Sequence, residues 1–169
     1  MNLIFCLDNS QGMMFNHRRQ SRDKEVIQDI LRLSGGHKIW MSSYSAAIFP
    51  EKCSQIQISE YPWDQAIEDE CCYIENVDPN ILLGEKVKKL IVYFWNRDYP
   101  GDLFCSIDFS PFLCVDETEF AGFSHEKITR KIFKIIYSAY PTAFDIEKRS
   151  IYTRQIDLQA RCTFLTKSL

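Results

Sequence analysis

Asp23 is the residue of this chain whose type and position best suit chemistry. It follows the basic run Asn16-His17-Arg18-Arg19-Gln20-Ser21-Arg22 and opens a stretch that reads as a helix. Val26, Ile27, Ile30 and Leu31 form one stripe there at a 3.6-residue period, and Asp23 lies three and four residues before its first members. A carboxyl on the edge of an inward face is partly desolvated, which raises its pKa unless an arginine offsets the effect. Such a group accepts a proton or a ligand N–H, so Asp23 is the candidate catalytic residue. His17, Arg18, Arg19 and Arg22 are candidate binding residues, because guanidinium forks fit phosphate oxygens bidentately. Phe15 and Tyr44 offer ring faces on which a base can stack. The expected ligand is small and anionic, phosphate-bearing or nucleotide-like. The structural alternative is that Ser21 caps the helix, Asp23 interacts with its dipole, and the arginines are solvated or pair with Asp8, Asp23 or Asp29.

The surrounding elements must hold these groups. Leu3–Leu7 reads as a buried strand, broken by the turn formers Asp8-Asn9-Ser10-Gln11-Gly12. A loop over Gln11–Arg22 then leads to the helix, which Ser34-Gly35-Gly36 ends. Lys38–Met41 is a second strand, and Ser42, Ser43 and Ser45 offer hydroxyls to a short helix from Ser45 to about Phe49. Ser54–Ser59 alternates as a half-wet strand, and a short helix starts near Pro62. Cys71–Ile74 is another strand, followed by Glu75-Asn76 and a weak helical stretch over Asn80–Val87. Lys89–Trp95 is apolar on both faces and so central, flanked by Leu3–Leu7 and Ile39–Met41. Leu103–Ile107 and Phe112–Val115 are further strands. From Ser124 a long helix is expected, with Ile128, Ile132, Ile135, Ile136 and Ala139 inward and Lys127, Arg130, Lys131 and Lys134 wet, until Pro141. His125 and Glu126 fall in its first turn. Ile151–Leu158 reads as a strand or a helix. The fold class is α/β with a mainly parallel sheet, flanking helices, an antiparallel edge and a C-terminal helix.

The 169 residues suit one domain, with a core over about 2–140 and a C-terminal extension over 141–169. A composition 46% hydrophobic and 25% charged is ordinary for a globular chain, and a net charge of −3 sets up no field toward nucleic acid or anionic membrane. No apolar run reaches the roughly 18 residues of a membrane span, and no signal peptide is visible, so a cytoplasmic location is expected. Seven cysteines without a CxxC pair fit reduced thiols better than disulfides or zinc, with Cys71-Cys72 lying in a strand.

The succession resembles the dihydrofolate reductase fold from Leu3 to about Val115. In that family a first strand leads through a Gly-containing loop to a helix whose early acid binds the pteridine, and Leu3–Leu7, Gly12 and Asp23 are similarly spaced. Met41-Ser42-Ser43-Tyr44-Ser45 stands where the family's short helix takes cofactor phosphate. Lys89–Val92 through Gly101-Asp102 resembles a later strand and its Gly-Asp turn. The resemblance implies a ligand cleft bounded by Asp23, Ser43 and Glu75. Four departures go with it. Glu75-Asn76 replaces adjacent glycines that let a backbone approach pyrophosphate. Ser43 replaces a basic residue for a 2′-phosphate, and the stretch from Phe49 to Tyr73 is short. The helix expected from Ser124 stands where reductases close with a β-hairpin. Tight NADPH binding is therefore not expected, and the sequence names no cofactor.

Phe15–Asp23 and Gly122–Thr129 are also similar to motifs of small uncharacterised bacterial proteins, some of which carry a ribonuclease Z label. That chemistry needs a dense His/Asp cluster around two zincs, whereas this chain has only His17, His37 and His125, with no HxHxDH pattern. No Walker loop, zinc spacing or Ser/His/Asp signature is visible either. Two classes stay open: a small-ligand protein, enzyme or not, whose cleft joins the Gly12–Arg22 loop to Ser42–Ser45, Glu75 and Asn76; or an interaction or regulatory module that keeps the fold as scaffold. If an enzyme, the resemblance points to an oxidoreductase.

Overall fold

Leu3, Phe5 and Leu7 face one apolar core and Ile4 faces another, so the strand Asn2–Leu7 (β1) is apolar on both sides and occupies the middle of the sheet. The computed structural model describes residues 1–135, which form one compact unit. After β1 come Gly12–Phe15 (β2), Arg18–Arg19 (β3), helix Lys24–Leu33 (α1), Ile39–Met41 (β4) and helix Ser43–Ala46 (α2). Ile56–Ile58 (β5), helix Pro62–Gln65 (α3), Cys71–Tyr73 (β6) and a 3-10 turn at Pro79–Leu82 follow. Lys89–Phe94 (β7), Leu103–Phe104 (β8), Leu113–Phe120 (β9) and Ile128–Lys134 (β10) complete the set.

Among the described residues the main sheet has seven strands in the order β5-β4-β6-β1-β7-β10-β9. Its first five strands run parallel, and β10 joins antiparallel to both β7 and β9. A second sheet orders β3-β2-β8. The strand Lys89–Phe94 is interior, as its two-sided apolarity requires, but it lies between β1 and β10, and Ile39–Met41 is separated from it by β6 and β1. Val26 and Ile30 of α1 pack on the face that carries Ile4, Ile91 and Tyr93. The connection from β6 to β7 places Ile74, Leu82, Leu83 and Val87 on the opposite face. The β1-to-β4 crossover with α1 and the β6-to-β7 crossover lie on opposite faces, which puts the topological switch point between β1 and β6 at their carboxyl ends, the usual ligand position in such sheets.

Several expectations need correction. The segment after Ser124 is the strand β10, not a helix. Ile128 and Ile132, four residues apart, fit a period of 2 as well as 3.6, and in the strand Ile128, Arg130 and Ile132 face one core while Phe133 faces the other. Among the described residues the sheet therefore ends with the antiparallel pair β9/β10. The loop over Gln11–Arg22 is largely a hairpin. Asn16 and His17 both have positive φ (49° and 59°), the two-residue turn that matches strand twist, here built without glycine. The cap of α1 is Asp23, not Ser21: its side chain accepts from the Glu25 N–H. The strand expected over Phe112–Val115 runs over Leu113–Phe120, and that expected over Leu103–Ile107 is confined to Leu103–Phe104. Cys71 and Cys72 are buried in β6, on opposite faces. The extension over 141–169, with the element expected at Ile151–Leu158, lies outside the described residues. Among the described residues no helix is long and apolar enough to cross a membrane.

Candidate functional site

Parallel strands bring their carboxyl ends to one edge, and two polar clusters occupy that edge. The first forms where the turn Gly122–His125, closed by the Gly122 N–H on the His125 carbonyl (2.9 Å), meets the start of α1. Asp23 Oδ1 accepts from the Glu25 N–H (3.0 Å) and the Phe123 N–H (2.9 Å). Its Oδ2 accepts from the Ser124 N–H (2.8 Å), the Ser124 hydroxyl (3.0 Å) and His125 Nδ1 (3.0 Å). An ionised carboxylate has about four lone-pair sites, so these donors saturate it. Burial alone would raise the Asp23 pKa, but the hydrogen bonds from Ser124, His125, Phe123 and Glu25 together hold it well below the usual carboxylate range.

The His125 ring is equally enclosed. It stacks on Trp95 with centroids 4.8 Å apart and planes 21° from parallel. Its Nε2 meets the Ser21 hydroxyl at 3.2 Å and the Tyr99 hydroxyl at 3.1 Å. An ionised Asp23 only accepts, so Nδ1 carries a proton toward it, and Nε2 faces the two hydroxyls. Beside this cluster a cavity of about 250 Å³ is lined by Arg22, Asp23, Lys24, Ile27, Ile48 and Phe123. The Lys24 ammonium lies 3.7 Å over the exposed Phe123 ring, a cation–π contact.

The second cluster lies at the carboxyl ends of the neighbouring strands β4 and β6. Glu75, at the end of β6, is buried and accepts from the Ser45 hydroxyl (2.8 Å) and the Tyr73 hydroxyl (3.2 Å). Arg19 Nη2 faces it at 3.5 Å and donates to the Tyr44 carbonyl at 2.8 Å, while the guanidinium lies 4.2 Å over the Tyr44 ring. Ser42 caps α2 by accepting from the Ser45 N–H at 3.2 Å. Burial pushes the Glu75 carboxyl up, against the opposing pull of Arg19, Ser45 and Tyr73.

The structure thus brings Arg19, Ser42, Ser45 and Glu75 into one cluster and sets Arg22 and Asp23 on the wall of one cavity. It does not bring in His17, Arg18, Ser43 or Asn76, which are exposed, with His17 at the hairpin tip. Asp23 partners neither Arg18 nor Arg19, and its lone pairs are taken by protein donors. His125, expected in a helical first turn on the surface, is instead buried beside it. Ser21, Tyr99, Ser124 and His125 were not among the sequence candidates, although the segments Phe15–Asp23 and Gly122–Thr129 had been singled out. Arg130, expected on a wet face, is buried against Asp29 (2.9 Å) and also donates to Asp116 (2.7 Å). Tyr93 completes that clamp by donating to Asp29 at 2.8 Å. Among the described residues no group of three or more His, Cys, Asp and Glu is placed to hold a metal ion. No protein-family model matches the chain, and neither does any curated protein.

Proposed function

We propose that this chain is a small-ligand-binding protein with a dihydrofolate reductase-like fold, and that it takes an anionic, phosphate-bearing or nucleotide-like ligand at the head of α1. The observation that carries this reading is the cavity of about 250 Å³ in which Arg22 and Lys24 flank the apolar side chains of Ile27, Ile48 and Phe123. Two cations beside an apolar wall suit a ligand with one charged end and one ring, and the helix N-terminus adds partial positive charge. The fold assignment is supported by the antiparallel closing pair β9/β10, by α1 beginning at an acid after a Gly-containing segment, and by α2 following β4.

The reductase cofactor does not fit this chain in its familiar way. Where the backbone would approach a pyrophosphate, the Glu75 side chain stands instead, buried and held by Arg19, Ser45 and Tyr73. A dinucleotide would have to displace that ion pair and face the carboxylate it exposed. Asp23 likewise has no free lone pair for a pteridine N–H. The same two facts favour the second reading, a scaffold whose cleft has been filled from within.

Calorimetric titration with inorganic phosphate and with adenosine 5′-monophosphate separates the two. Binding of the nucleotide is expected, weakened at least tenfold in the Arg22→Ala/Lys24→Ala variant with little change in melting temperature, because both side chains are exposed. Flat titrations with both probes, or equal affinity in the variant, would leave the scaffold reading.

A further inference from the structure

We propose that Ser21, His125 and Asp23 form a nucleophilic relay in which Ser21 takes up the acyl group of a small ester bearing an anionic group. The proposal stands on the polar cluster rather than on nucleotide binding, so the two readings fail separately. Ser21 Oγ lies 3.2 Å from His125 Nε2, and His125 Nδ1 lies 3.0 Å from Asp23 Oδ2. This is the hydroxyl–imidazole–carboxylate geometry that makes a serine nucleophilic, and it is recognised by geometry rather than by sequence order. The burial pattern suits the roles. The Asp23 and His125 side chains are 0% and 1% exposed, and the ring is clamped on Trp95, whereas Ser21 is only partly covered. Of the three relay residues, Ser21 is the one with surface open to solvent. Arg22, next in sequence, and Lys24 supply the charge that selects an anionic group.

In the forward step the Ser21 oxygen bonds to the ester carbonyl carbon while its proton passes to His125 Nε2. The carbonyl electron pair moves onto oxygen. Collapse of that intermediate breaks the bond to the alcohol, which leaves with the proton from Nε2, and an acyl-serine remains. Water then attacks the acyl carbon, its proton passing to Nε2 and on to Ser21 Oγ as the acid leaves. Asp23 touches no reacting atom: it is a positioning residue that holds the imidazole in the Nδ1–H form. The oxyanion is assigned to Tyr99, whose hydroxyl reaches Nε2 at 3.1 Å beside Ser21 Oγ.

A purely structural network would show the same contacts and leave Ser21 inert. The full chain is therefore treated with p-nitrophenyl acetate and, separately, with a fluorophosphonate probe, and adducts are located by mass spectrometry. One adduct on Ser21 is expected, with p-nitrophenol release reduced at least ~100-fold in Ser21→Ala and roughly tenfold in Tyr99→Phe. Ser21→Cys is expected to keep the acetyl group as a thioester that neutral hydroxylamine removes, and it serves as the second variant should the alanine form melt early. Asp23→Asn, in which an amide now donates toward the ring and favours the wrong tautomer, is expected to alter the pH profile of release as well as its rate. No adduct on the wild-type chain, or an adduct unchanged in Ser21→Ala, would overturn the relay.

Discussion

His125 and Asp23, 102 positions apart in the chain, meet at 3.0 Å between Nδ1 and Oδ2 with both side chains buried. This contact joins the start of α1 to the turn that leads into β10. Its strength rests on the carboxylate being ionised, which has consequences for acid stability. The Asp23 pKa is lowered in the fold, so its contribution is fully present above the ordinary carboxylate value of about 4 and is lost as pH falls through the depressed folded value. Asp23→Asn should cost about 2–3 kcal/mol at pH 7, because an amide nitrogen cannot accept from Ser124 and His125. Urea midpoints measured between pH 7 and pH 3 should show the gap to wild type narrowing below pH ~4. A gap independent of pH would mean that shape rather than charge holds this site.

Gly122 is the tight point of the same contact. A β-carbon there would stand 2.5 Å from Asp23 Oδ2 and 2.7 Å from Ile128 Cδ1. Neither neighbour can retreat: the carboxylate is fixed by its donors, and Ile128 is fully buried. Gly122→Ala should lower stability by about 1–3 kcal/mol, read as a fall in melting temperature. Gly84→Ala, where a β-carbon meets nothing within 4 Å, is the control and should leave the melting temperature nearly unchanged.

The clamp on the far side of α1 makes a separate prediction. Asp29 is buried, and Arg130 and Tyr93 both converge on it. Asp29→Ala leaves Arg130 with Asp116 as its remaining carboxylate and takes the acceptor from the buried Tyr93 hydroxyl, and it should cost about 2–3 kcal/mol. Asp29→Asn, which keeps an acceptor for Tyr93, should cost less. Equal melting temperatures for the two variants would show that Arg130 finds full compensation at Asp116.

These contacts explain which parts of the fold were legible in the sequence. β1 and β7 were, because residues apolar on both faces have no place but the interior of a sheet, and α1 was, because its apolar stripe keeps one period over three turns. β10 was not. A four-residue isoleucine spacing serves strand and helix alike, and the lysines and arginine between them looked like a solvated helix face. What turns Arg130 inward is Asp29, 101 positions earlier, which no local pattern carries. The site was half legible for the same reason. Asp23, Arg19, Ser45 and Glu75 stood out by type, but their partners came from segments distant in the chain, and His125 was assigned to the surface because a helix was expected there. The β2–β3 hairpin was hidden by a turn that puts Asn16 and His17, rather than glycine, at positive φ.

Glu75 carries the last prediction, and its sign is opposite to that of Asp23. Burial raises its pKa more than Arg19, Ser45 and Tyr73 lower it, so the carboxyl gives up its proton less readily in the fold than in the unfolded chain. Its contribution is fully present below the unfolded value of about 4.3 and is lost as pH rises through the raised folded value. Glu75→Gln keeps the length of the side chain and, like the protonated acid, one carbonyl acceptor for the Ser45 and Tyr73 hydroxyls, and it removes the titration. Near pH 4, where both chains present a neutral group to Arg19, the variant and the wild type should be about equally stable. As pH rises toward 8 the variant should gain on the wild type, read as a growing difference in urea midpoint. A wild type that instead gains on the variant with rising pH would mean that the attraction of Arg19 at 3.5 Å outweighs the cost of burying the charge.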